Sequence, residues 1–131
     1  MILTIAAAFL AQQAPEQEWN CDDPQYQAEM NMCAGLDFQR ADAELNRLWP
    51  GLIASAREAD RELDRQYDQR PGYEETLRRA QRAWVAFRDE HCAWQGYQDA
   101  RGGSMETMVY QGCRATLTRD RIRQLTGTGI E

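Results

Sequence analysis

Four cysteines in a chain of 131 residues constrain this fold more than any other feature. They fall at Cys21, Cys33, Cys92 and Cys113, the last two closing AQRAWVAFRDEHC (80–92) and MVYQGC (108–113). Cytosolic thiols stay reduced, so an even count in a short exported chain reads as a disulfide framework. A metal site is the competing use of such residues. The spacing offers no C-x-x-C pair and only one histidine, His91, so no metal ligand set is assigned.

The start of the chain supplies the export signal. Residues 2–11 (ILTIAAAFLA) are uncharged and too short to span a bilayer, which needs about 20 apolar residues. The run therefore reads as a signal-peptide core, residues 1–14, with cleavage after Ala11 or Ala14; the alternative is a retained apolar first helix. Glu18, Trp19 and Asn20 stand before Cys21 where a lipidated cysteine would need small residues, so no stable membrane anchor is expected. The expected location is periplasmic or secreted.

What remains is one domain by length. Its charge is lopsided: 21 acidic side chains face 15 basic ones, a formal net charge of −6. Nucleic acid is excluded as a partner, because phosphate backbones are bound by clustered positive charge. A cationic protein partner would be favoured by electrostatic steering.

No segment alternates with a period of two. Met30, Ala34, Ala41, Leu45, Leu48, Leu52, Ala56, Ala59 and Leu63 recur at helical spacing. Asp22 and Asp23 before Pro24 read as a helix start. An unbroken helix over 24–67 would be about 66 Å long, against a radius of gyration of about 13 Å for a compact domain of this size. The expectation is a first helix over 24–34 and a second over 36–67 that kinks at Trp49–Gly51, where Pro50 removes a hydrogen bond. Arg70–Pro71–Gly72 marks a turn. A third helix, 73–95, would turn Leu77, Ala80, Trp84, Phe87 and Cys92 inward. A loop, 96–104, would follow, with Ser104 capping a fourth helix over 105–125 that buries Met105, Met108, Val109, Cys113, Leu117 and Leu125. Residues 126–131 are left as a tail. The fold class is all-α: a small antiparallel bundle of about four helices, stapled by two disulfides.

Four cysteines allow three pairings. The short connection between helices three and four should bring Cys92 and Cys113 to similar depth. Cys21 and Cys33 would tie the N-terminal arm to the first helix. This favours 21–33 with 92–113 over the other two pairings.

Catalytic residues are not found, and no cofactor is called for. His91 and Cys92 are adjacent and point about 100° apart on a helix, so they form no nucleophile pair. Ser55 and Ser104 lack a base and a G-x-S-x-G elbow. Arg88 and Asp89 read as a tie between helices. Trp94, Tyr97, Asp99 and Arg101 are the candidate partner-binding residues, because aromatics beside a glycine-bearing loop can anchor a partner; the other use of the two rings is packing.

Taken together, QAEMNMCA (27–34), ADAELN (41–46), AQRAWVAFRDEHC (80–92), GGS (102–104), MVYQGC (108–113) and LTRDRIRQL (117–125) resemble the LprI-type lysozyme-inhibitor N-terminal domain family over residues 21–125. The resemblance implies an all-helical, disulfide-bonded exported bacterial protein, with the four cysteines as the bonded set. It also implies a protein partner, a cationic lysozyme. Lipid-anchored relatives carry a lipobox that this chain lacks, and Pro50–Gly51 interrupts what other members carry as ordinary helix. Two functions are therefore carried forward: a proteinaceous inhibitor of lysozyme-type glycoside hydrolases, and a non-inhibitory envelope interaction module. No enzymatic activity is expected, and the sequence sets no oligomeric state.

Overall fold

The computed structural model describes residues 18–127, so the signal segment 1–14 and most of the tail 126–131 lie outside the described residues. Three helices build the fold: α1 (Gln27–Arg61), α2 (Tyr73–Ala100) and α3 (Glu106–Thr126). Successive helices are antiparallel, and α3 packs on both of the others, with α1 and α2 touching least.

The expected break between a first and a second helix does not occur. Helix α1 runs for 35 residues through Gly35 and Pro50, about 52 Å at 1.5 Å per residue. Pro50 removes one amide and crowds the carbonyl of Asn46. Both residues are exposed, so water takes the group that the helix ladder loses. The length argument failed because the bundle is elongated: α2 and α3 lie along α1 rather than closing a sphere around it.

The other end of α1 also differs from expectation. The helix stops at Arg61, and residues 62–67 form turns instead of a continuing helix. Asp64 organises them, its carboxylate accepting from the Gln66 amide (3.0 Å) and its carbonyl from the Asp68 amide (2.9 Å). Aspartate competes with the helix in this way wherever its side chain can reach a nearby amide. Arg65, within these turns, donates to the Arg70 carbonyl at 2.7 Å.

At the N-terminus, helix α1 begins at Gln27 rather than Pro24. The arm before it is held by Glu29, which is buried and accepts from the amides of Asn20 (2.8 Å) and Gln25 (3.0 Å). The Cys21–Cys33 bridge adds a covalent tie, with a Cα–Cα distance of 5.4 Å. Cys92–Cys113 joins α2 to α3 at 5.5 Å, so the pairing favoured from the sequence is the one present.

The apolar core is small-residue rich: Ala41, Leu45, Ile53 and Ala56 from α1, Cys92 from α2 and Ala115 from α3. Its centre is polar. Arg88 is only 5% exposed, its guanidinium held 5.0 Å from the ring centroids of both Phe38 and Trp84. It donates to Asp89 (2.9 Å), and to Asp42 and Thr118 at longer range (3.5 and 3.4 Å). Arg114 lies 3.8 Å from the Phe38 centroid and donates to the same Asp89 oxygen at 3.0 Å. One interlocked set of rings and charges thus ties all three helices, which is the role read for Arg88 and Asp89.

That set also overturns the expected inner face of α2. Arg88, not Phe87, points inward; Phe87 is 56% exposed, Ala80 is exposed and Trp84 is half-buried. Met105, just before α3 and expected to be buried, is likewise exposed.

Candidate functional site

Helix α2 continues through Ala100, so Trp94, Tyr97 and Asp99 stand on helix and only 101–105 form the turn. The expected loop 96–104 is corrected accordingly. Gly102 adopts φ 76°, the left-handed conformation that glycine takes at little cost. The Ser104 side chain does not cap α3. Its carbonyl accepts from Asn31 Nδ2 (2.9 Å), while the Glu106 carboxylate reaches back to the Gly102 amide (2.6 Å). The turn is thereby fastened to both α1 and α3.

Displacing Phe87 outward creates a feature that the sequence reading missed. Phe87, His91 and Trp94 recur at i, i+4 and i+7, which places them in a row along one helix face. The Phe87 and His91 rings stack with centroids 5.2 Å apart and 22° between planes. Trp94 follows at 5.8 Å from His91. Phe87 and Trp94 are each 56% exposed, so the row is a ridge and not core. Its spacing in the sequence was visible; what hid it was the assignment of Phe87 to the interior.

A shallow groove runs along each side of this ridge. On one side Glu90, Tyr97 and Glu106 line about 290 Å³ between α2 and α3. On the other, His91, Gln95 and Asp99 face Met108, Val109 and Gly112 across about 390 Å³. Cys113 also lines this second groove, and the Cys92–Cys113 bridge fixes α2, which carries the ridge, to α3. Glu90 and Asp99 flank the ridge and form no ion pair among the described residues, leaving their charge available. Arg101 sits at the end of α2 with its guanidinium 4.4 Å from the Tyr97 centroid. The four candidate residues therefore share one end of the molecule, but Trp94 belongs to the ridge and Tyr97 pairs with Arg101.

What the arrangement offers chemically is exposed apolar surface flanked by charge. Exposed aromatic rings supply apolar contact area at low entropic cost, and flanking carboxylates select a cationic partner. Among the described residues no group of three or more His, Cys, Asp or Glu is placed to hold a metal. No described helix is long and apolar enough to cross a membrane.

A family model described as "Lysozyme inhibitor LprI" matches residues 21–125. An uncharacterised protein of Rhizobium meliloti (strain 1021) is 41% identical over 112 residues, covering 86% of this chain and 80% of the relative. No solved structure matches.

Proposed function

The chain belongs to the LprI lysozyme inhibitor family, and from that premise we propose that it is an exported inhibitor that docks on a lysozyme through the aromatic ridge of α2. Membership points to a non-enzymatic protein that binds lysozyme, and the two disulfides fit an extracytoplasmic location. A signal peptide over residues 1–14 and a periplasmic or secreted destination complete the proposal.

The observation that carries the choice of surface is the ridge itself. Three neighbouring rings, two of them more than half exposed, stand on a helix that a disulfide holds in place. A preordered apolar anchor binds without the cost of ordering a loop. Glycoside hydrolases of this kind work with two carboxylates in an open cleft. A ridge suits a cleft, and Arg101, free of carboxylate partners among the described residues, would meet the catalytic acids at its end. Glu90, Asp99 and the net charge of −6 would steer the protein to a basic enzyme.

The test is binding and inhibition measured together. The oxidised protein is titrated into lysozymes of several structural classes, with peptidoglycan turbidity as the activity readout. Stoichiometric inhibition of at least one class is expected. Trp94→Ala should weaken it about 30-fold, the loss of a typical interface anchor. Binding without inhibition would favour the envelope-module reading. Absence of binding to every class would overturn the proposal.

A further inference from the structure

We propose that the opposite end of the bundle is a binding site for a single-chain amphiphilic carboxylate, a free fatty acid. The 62–72 connection, the start of α2 and the end of α3 enclose an open groove of about 750 Å³. That is within the size range of small-molecule sites, about 300–1,000 Å³. Leu63, Pro71, Leu77, Ala80 and Leu125 give it apolar walls. Two arginines also line it, and they are not equivalent. Arg70 is neutralised by Asp68 at 2.8 Å. Arg121 forms no ion pair among the described residues.

Arg121 is half-buried, and its hydrogen-bond partners are neutral. Its Nε donates to Gln81 Oε1 (3.0 Å) and its Nη1 to Gln124 Oε1 (3.2 Å). The Trp84 ring lies 5.8 Å away. A guanidinium has five N–H donors, so two bonds leave an edge spare. Burial lowers the Arg121 pKa, and among the described residues no carboxylate opposes it. Desolvated arginines are ordinarily matched by an anion. Here the missing partner borders an apolar groove, so the matching ligand carries a carboxylate on an alkyl chain. The fork geometry of guanidinium favours that head group, which it can bind through two parallel bonds. This site is independent of the lysozyme reading, since it lies at the far end of α2 from Trp94.

The experiment is calorimetric titration of the oxidised full chain, stripped of lipid, with laurate, decanoate and dodecan-1-ol below their micelle concentrations. Laurate should bind one to one. Decanoate should bind about tenfold more weakly, as expected for two fewer buried methylenes. Dodecan-1-ol, with the chain but no charge, should also lose at least tenfold. Arg121→Gln should reduce laurate affinity to that of the alcohol and leave the alcohol unchanged. Ala80→Trp, at an exposed position on the groove wall, should abolish both. The laurate–alcohol comparison uses the unaltered protein, so it decides the matter even if Arg121→Gln folds poorly. Equal binding of laurate and alcohol, no binding of laurate, or laurate binding unaffected by Ala80→Trp would each overturn the proposal.

Discussion

Gly72 and Asp60 should behave as one unit, and a double-mutant cycle can measure it. The first amides of α2 receive no cap from their own segment, because the position before Tyr73 is a glycine. Asp60, at the end of α1, takes that role: its carboxylate accepts from the Tyr73 amide (2.6 Å) and the Glu74 amide (3.1 Å). Asp60→Ala should cost about 1–2 kcal/mol, combining a lost N-cap with the loss of a negative charge at a helix N-terminus. Gly72 has φ −72° and ψ 177°, which alanine adopts without strain. On backbone grounds alone, Gly72→Ala should stabilise by about 0.4–1 kcal/mol. Yet a Cβ there would sit 2.5 Å from Asp60 Oδ1 and 2.9 Å from its Cγ. The carboxylate must leave, so the single substitution should instead cost about 1 kcal/mol. With Asp60 already replaced, only the end of the flexible Arg65 side chain, whose Nη2 lies 2.9 Å from that Cβ, has to move, and Gly72→Ala should turn neutral or stabilising. The coupling is therefore about 1–2 kcal/mol, well outside the additivity limit of about 0.5 kcal/mol. Urea titrations at pH 7 with both disulfides intact provide the four free energies. Additive losses would refute the account of how α2 starts.

Arg88→Ala should destabilise by about 3–5 kcal/mol, since it strips Asp42 and two aromatic faces of a buried partner; a denaturant midpoint close to the parent's would remove Arg88 from the core. Replacing Cys92 and Cys113 together with alanine should cost about 2–5 kcal/mol by freeing the unfolded chain, and an unchanged melting curve would count against that bridge as a stabiliser. Hydrogen bonds from Arg119 hold the Asp37 carboxyl below the usual carboxylate range, with Arg40 adding to the effect. A lowered folded-state pKa means that this pair's contribution is present above the unfolded value of about 3.9 and is lost as pH falls through the lower folded value. Asp37→Asn should therefore cost less at pH 2 than at pH 7, by under about 1 kcal/mol because both side chains are partly exposed; an equal cost at the two pH values would contradict the linkage.

The helical class, the turn at Arg70–Gly72 and both disulfides could be read from local pattern, since cysteine count and hydrophobic spacing are properties of short segments. The number of helices could not. It turned on Gly35, where a break between helices over 24–34 and 36–67 was expected; a lone glycine only weakens a helix, and packing against α3 carries α1 straight through it. Phe87 and Arg88 show the same limit more sharply. Hydrophobicity assigns the phenylalanine inward, and the structure turns it out while taking the arginine, read only as a tie between helices, into the interior. Phe38, Trp84, Asp42, Asp89 and Thr118 converge on Arg88 from three helices. Nothing in the 80–92 segment alone reveals that convergence. The ridge followed from this reversal: Trp94 had been named as a candidate anchor with packing as its other use, and it is exposed, but its neighbours Phe87 and His91 became visible only when the guanidinium had taken the interior.

Cys92 and Cys113 also make the end of α2, the turn and the start of α3 into a closed covalent ring. A single proteolytic cut in residues 101–105 would open that ring without releasing a fragment. Cleavage there would leave two chains still joined beneath Trp94, with α1 bonded to the downstream piece through Asn31 and Ser104 if the cut falls before Ser104. The turn is thus the place where a protein exposed to proteases can be nicked, or can accumulate insertions between relatives, while its paired helices stay together.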